Sequence, residues 1–307
     1  MNKATLLTLA IAALILVACS GHRPAQVQAT ASAAPAQIAA KVVADDAFLT
    51  QYAKTYRFRL GHPRGITPTP DGAEILFLRS GPRSFVHNLY AFDTATAKER
   101  VLLTAAQILK GAAERLTKEE KARRERMRQT ARGIASFHLS KDGKTLMVPL
   151  SGRLYLVDRA SGQVTEVPAN RDAAKGGAVL DPQLSPDAKR IAYVRNGDLY
   201  VADIASAKER RLTTGGGAHI SNGTAEFVAQ EEMGRHHGFW WSPDSSRLLY
   251  QQTDTSMVEQ MHIMDPGKPN KAPHDWPYPR PGKANAEVRL GLIAASAGRR
   301  AAKTTWI

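Results

Sequence analysis

Ser140-Lys141-Asp142-Gly143, then Leu146-Met147-Val148, then Leu154-Tyr155-Leu156-Val157-Asp158 is a pattern that the chain repeats further on. It returns as Ser185-Pro186-Asp187, Ile191-Ala192-Tyr193-Val194 and Leu199-Tyr200-Val201-Ala202-Asp203. From Asp142 to Asp187 is 45 residues, and from Asp158 to Asp203 is again 45. Two independent landmarks sharing one period identify a structural repeat. Outward from this pair, Thr69-Pro70-Asp71-Gly72 precedes Ile75-Leu76-Phe77-Leu78 and is answered by Leu89-Tyr90-Ala91-Phe92-Asp93. A fourth copy starts at Ser242-Pro243-Asp244, ahead of Leu248-Leu249-Tyr250. In the two central copies the Asp pair is 16 residues apart, but 22 separate Asp71 from Asp93, which predicts an elongated hairpin around Ser80–Ser84.

Each unit starts at a corner. Pro fixes φ, and Asp or Gly closes the tight turn. The apolar runs that follow are short and partly β-branched or aromatic, as strands are. A period near 45 with about four strands per unit is that of propeller blades, which bury their faces only by stacking. The predicted fold is therefore all-β, a partial β-propeller of about four to five blades over residues 45–307. Residues 105–132 interrupt the repeat with strong helix formers and with Glu and Lys or Arg at helical spacing, which predicts an exposed helical insertion.

The N-terminus reads differently. Lys3 precedes an apolar run from Leu6 to Val17, too short for a membrane span of about 20 residues and fitted to an export signal. Leu16-Val17-Ala18-Cys19 resembles a bacterial lipobox, which implies cleavage after residue 18 and a lipid on Cys19, the single cysteine of the chain. Residues 19–44 are rich in Ala, Gln, Ser and Pro and read as a flexible tether. The expected location is periplasm-facing, anchored to a bacterial membrane through Cys19.

The formal net charge is +14. Most of it lies in two stretches: Lys110 to Arg132 carries nine basic and four acidic residues, and Lys268 to Lys303 eight and two. The first carries almost no interleaved aromatics and the second is loop-like and Pro-rich, so they read as solvated helix face and loop, and nucleic acid is not an expected partner.

The chemistry-bearing stretch is Glu226-Phe227-Val228-Ala229-Gln230-Glu231-Glu232-Met233, which runs on through His236-His237-Gly238-Phe239-Trp240-Trp241 into the fourth corner. Thr224 suits a helix cap. Adjacent carboxylates on a short helix repel one another unless a cation stands near. His219, His236 and His237 lack the spacing of metal ligands, so no metal site is expected.

This stretch, with two Glu ending a short helix and a Trp-Trp-Ser-Pro-Asp blade start soon after, resembles the dipeptidyl peptidase IV branch of the prolyl oligopeptidase family. The likeness continues through Tyr278-Pro279-Arg280-Pro281-Gly282-Lys283-Ala284-Asn285 into Val288-Arg289-Leu290-Gly291. It implies that Glu231 and Glu232 bind the free N-terminal ammonium of a peptide, and that an arginine of the first long hairpin, Arg83 or alternatively Arg79, holds a substrate carbonyl. It implies neither metal nor organic cofactor. The family's nucleophile sits in a Gly-x-Ser-x-Gly elbow on an α/β-hydrolase domain. No such sequence occurs in the 307 residues.

The expected function is thus the substrate-recognition propeller of a serine exopeptidase that removes X-Pro or X-Ala dipeptides, cut short before its catalytic domain and inactive alone. The partners expected are peptide N-termini, the membrane through Cys19, and a second copy or the missing hydrolase domain against the open blade edge. The rival reading is a stand-alone TolB-like propeller that serves as a periplasmic scaffold.

Overall fold

The computed structural model describes residues 46–167, 177–295 and 303–307. The segments expected to be signal and tether, with Cys19, lie outside the described residues. So do residues 168–176 and 296–302. After a helix α1 (Asp46–Lys54), the chain forms four successive antiparallel sheets.

The first sheet is built from strands Arg64–Pro68, Glu74–Ser80, Val86–Asp93 and Lys98–Leu103 in that order, with Arg132–Gly133 added in parallel beside the third. The second runs His138–Leu139, Thr145–Leu150, Arg153–Asp158, Val164–Glu166. The third runs Leu180–Leu184, Arg190–Arg195, Asp198–Asp203, Glu209–Arg211. Each is a four-stranded meander, as a blade is. The elongated hairpin is present. Its strands make seven residue pairs, Glu74↔Asp93 to Ser80↔His87, against six in the next hairpin, and its loop is longer than the two residues between Leu150 and Arg153.

The corners explain the repeat in physical terms. In the second sheet the Ser140 hydroxyl donates to Asp142 at 2.6 Å, and the backbone N–H of Lys144 donates to the same carboxylate oxygen at 3.1 Å. The Thr145 N–H then donates to the Ser140 hydroxyl at 2.9 Å. Thr69–Asp71, Ser185–Asp187 and Ser242–Asp244 repeat the hydroxyl–carboxylate contact, each at 2.5 Å. The position after each Asp has positive φ, filled by Gly72, Gly143, Ala188 and Ser245. A second corner closes the hairpin end, where Asp93, Asp158 and Asp203 accept from the N–H and hydroxyl of Thr96, Ser161 and Ser206.

Three apolar layers separate the four sheets. Leu76, Leu78 and Leu89 of the first meet Leu146, Val148 and Val157 of the second. Met147 and Leu154 meet Ile191 and Tyr193, and Ala192, Val194 and Leu199 meet Phe239, Leu248 and Ile293. Polar ties cross the same gaps. Arg159 of the second sheet reaches Glu74 of the first at 2.8 Å, and Asp198 of the third accepts from Asn222 of the fourth at 2.8 Å.

The insertion is not one exposed helix. It consists of α2 (Ala105–Leu109), whose Ala105 and Ile108 are buried in the first core, and α3 (Lys118–Arg126), joined by irregular chain. Both helices carry capping boxes, on Thr104 with Gln107 and on Thr117 with Glu120. The charge run does not read out as a solvated face either. Arg123 and Arg124 turn inward with side chains 21% and 14% exposed, because each finds a carboxylate there, Asp181 and Glu114.

The fourth sheet departs from the meander. Its first strand is split into Ile220–Asn222 and Phe239–Trp241, and both pieces pair with Arg247–Asp254. Strand Glu287–Ala294 follows, with Thr305–Trp306 at the edge. Between Asp254 and Glu287 stands a separate hairpin of Gln260–Ile263 and His274–Pro277.

Candidate ammonium-binding site

The split strand makes the site. The chain leaves the sheet at Gly223 and returns at Gly238, and these two residues flank the same partner. The Gly223 N–H donates to the Gln251 carbonyl at 2.7 Å, and the Gln251 N–H donates to the Gly238 carbonyl at 2.8 Å. At this neck the two strands of the excursion touch. A Cβ on Gly238 would stand 2.6 Å from the Ala225 nitrogen and from the Gly223 carbonyl carbon, so only glycine fits.

Within the excursion lies α4 (Phe227–Glu231). Its cap is Glu226, not Thr224. The Glu226 carboxylate accepts from the Val228 and Ala229 N–H groups, both at 2.6 Å. A carboxylate reaches two orphan N–H groups where a hydroxyl reaches one, and it also suits the positive end of the helix. Gln230 is buried and its amide donates to the Ala225 carbonyl, which pins the helix to its own entrance. Arg235 braces the exit, donating to the Gln251 side chain at 2.7 Å and to the His237 carbonyl at 2.8 Å.

The helix ends on Glu231, half-buried, with Glu232 exposed at the C-cap. Among the described residues, neither carboxylate accepts a hydrogen bond or closes an ion pair. The Glu231 charge acts on Arg126, at the end of α3. Burial lowers the Arg126 guanidinium from its ordinary value, and the Glu231 charge works against that lowering. Arg126 lies over the Trp276 ring, 4.2 Å from its centroid, in a cation–π contact. Trp276 and Tyr278 in turn pack edge-on against Phe227 of α4. A cavity of about 340 Å³ opens among Arg123, Arg126, Thr224, Gln230, His274 and Trp276. Gln230 of α4 belongs to this wall and Glu231 follows it; carboxylates hold a small cation, and a guanidinium can hold a carbonyl.

The other candidates lie elsewhere. Arg83 is in the first hairpin loop, where its guanidinium donates to Gln51 of α1 at 2.7 Å. Arg79 pairs with Glu99 and stacks 4.5 Å over Tyr90. No contact joins either to the glutamates. Arg126, on which the Glu231 charge acts, lies in the charge run of the insertion, where the sequence alone does not mark it. His237 and His236 flank the excursion's return, where His237 donates through Nδ1 to Asp181 at 2.8 Å. His219 contributes only its backbone carbonyl, to Thr255. Among the described residues no three His, Cys, Asp or Glu side chains stand close enough to hold a metal ion.

Comparison with known proteins bears on the family and the fold. The chain is 31% identical over 202 residues to dipeptidyl peptidase 8 of Homo sapiens, covering 57% of this chain and 22% of the relative. It is 32% identical over 108 residues to the inactive dipeptidyl peptidase 10 of Mus musculus, covering 34% of this chain and 14% of the relative. The chain thus spans about a fifth of the length of the curated relatives it matches. Among solved structures, the Porphyromonas gingivalis dipeptidyl peptidase 4 superposes with a TM-score of 0.57 over 80% of this chain and 33% of that one, at 22% identity. Residues 140–306 match the family described as the dipeptidyl peptidase IV (DPP IV) N-terminal region. That match spans more than half of the 307 residues, and the chain belongs to this family.

Proposed function

We propose that Glu231 and Glu232 hold the free N-terminal ammonium of a peptide, and that this propeller region is the substrate-recognition part of a dipeptidyl peptidase. The observation that carries the reading is the pair of adjacent carboxylates at the end of α4, which close no hydrogen bond or ion pair among the described residues and follow directly on Gln230, itself part of the cavity wall that Arg126 shares. Two carboxylates around one ammonium make charge-assisted hydrogen bonds, and fixing the ammonium fixes how far along the peptide any later chemistry falls. Holding the peptide carbonyl, expected of Arg83, falls better to Arg126, because Arg83 is bonded to Gln51 on α1.

Removal of an X-Pro or X-Ala dipeptide needs a nucleophile. With no Gly-x-Ser-x-Gly among its residues, this chain alone is expected to bind peptides without cleaving them. Anchoring to a bacterial membrane through a lipid on Cys19, facing the periplasm, completes the proposal. It rests on the signal-like residues 1–18.

The test is calorimetric titration of the full chain with Gly-Pro and with N-acetyl-Gly-Pro. The free amine should bind and the acetylated one should not. The double variant Glu231→Gln, Glu232→Gln should weaken the free amine about ten- to a hundred-fold, the worth of hydrogen bonds to charged groups. Equal affinity for both peptides, indifferent to the substitutions, would favour the scaffold reading.

A further inference from the structure

Beneath α3 a second cavity, of about 190 Å³, is walled by Arg123, Arg124, His138, Asp181 and His237, with Glu120 at its rim. Asp181 commands it. Only 7% exposed, it lies in the first strand of the third sheet at a φ of +50°, where the pairing with the next strand shifts register. Nothing in strand pairing calls for a buried carboxylate in a left-handed backbone, and such a group is costly unless paired.

The pairing comes from two distant elements. Arg123 of α3 donates to Asp181 Oδ1 at 3.1 Å, and His237 of the excursion donates to the same oxygen at 2.8 Å. Because a carboxylate only accepts, the His237 proton in this contact is on Nδ1. Arg123 also donates directly to the excursion, to the His236 carbonyl at 3.2 Å. Gln183, two residues beyond Asp181, completes the bracket by donating to the Phe239 carbonyl at 3.1 Å. One side chain of the third sheet therefore ties down the helix that carries Arg126 and the excursion that carries Glu231 and Glu232.

We propose that Asp181 is a positioning residue that couples the docking of α3 to the conformation of the 223–238 excursion, so that Arg126 and the glutamates are assembled, or released, together. What the assembled site binds rests on the reading given above; the coupling itself does not.

The coupling depends on pH in a stated direction. Facing His237 are Asp181 from the third sheet, Arg123 from α3, His138 from the second sheet and its neighbour His236, on which Glu231 also acts. The hydrogen bond to Asp181 outweighs burial and the repulsion of Arg123, and raises His237 above its ordinary value. A raised folded value means that this contribution is complete below about pH 6.5 and is lost as pH rises through the raised value. The site is held together best in mildly acid solution.

Hydrogen exchange of the full chain, without peptide, tests the coupling. Asp181→Asn keeps the size of the side chain and tolerates the left-handed backbone. At about pH 6, below the ordinary histidine value, it should lower protection about ten-fold or more in both 118–126 and 223–238, while strands 190–195 and 198–203 keep theirs. Arg123→Gln should lower protection in the excursion as well as in its own helix, since coupling is reciprocal. His237→Gln, which still donates but does not titrate, should abolish the loss of protection that the unsubstituted chain shows near pH 8 relative to intrinsic rates. A change confined to one segment in Asp181→Asn, or an excursion indifferent to Arg123→Gln, overturns the proposal. If the coupling holds while Gly-Pro fails to bind, the reading of the site's ligand has failed and not the coupling.

Discussion

Glu231 and Glu232 are two like charges on consecutive residues, which repel one another unless a cation stands near. Several other carboxylates settle their charge locally, although Glu125 and Glu287 also close no ion pair among the described residues. Glu226 caps α4, Glu114 takes Arg124, and Glu74 takes Arg100 and Arg159. Two such carboxylates side by side at the end of α4 are the feature that asks for a ligand. The residue that makes their presentation feasible is Gly238, where the two arms of the excursion pass within contact of one another. Gly238→Ala should destabilise the chain by about 1–3 kcal/mol, the cost of overpacking, and abolish binding of Gly-Pro. Thermal denaturation and titration check the two parts. An alanine variant of normal stability and affinity would mean that the neck is not close-packed.

At the scale of the element, the repeat was legible because it is local. A hydroxyl, a carboxylate and two N–H groups within six residues make each corner, so the sequence pattern and the hydrogen bonds are nearly the same object. Two of the four corners put Ala188 and Ser245 where the first two have glycine. A left-handed alanine costs about 1–2 kcal/mol, against about 0.5–1 kcal/mol for the extra freedom of glycine in the unfolded chain. Ala188→Gly should therefore raise stability by about 0.5–1 kcal/mol, seen as a higher denaturation midpoint; a lower midpoint would contradict this account of the corner. Ser245 is not equivalent. Its hydroxyl accepts from the Asp187 N–H at 3.0 Å, so it ties the third corner to the fourth.

The non-local parts of the site were not legible. Arg123 and Asp181 are 58 residues apart, and nothing in the run Lys121–Arg128 marks which arginines turn inward. The paired glutamates stand out because their neighbours in sequence, Trp240 and Trp241 and the fourth corner, form a recognisable string; Arg126 has no such string.

For the whole molecule, sheets that bury their faces only against one another make stability a property of the stack. The corners add a shared acid sensitivity. Hydroxyl and backbone donors hold Asp71, Asp142 and Asp244 below the usual carboxylate range, Asp244 at about 2, chiefly through Thr69, Ser140 and Ser242. Depressed folded values give stability that is present above about pH 3.9 and lost as pH falls through them. The denaturation midpoint should hold steady down to about pH 4.5 and fall toward about pH 2, whereas a midpoint indifferent to acid would show that the corner aspartates contribute nothing net. What Glu231 and Glu232 bind is decided by a crystal structure of the full chain with a free-amine dipeptide. The peptide nitrogen should lie within about 3 Å of both the Glu231 and Glu232 carboxylates, with its carbonyl turned toward Arg126. A peptide held by its C-terminal carboxylate on Arg126, with its amine in solvent, would contradict this reading.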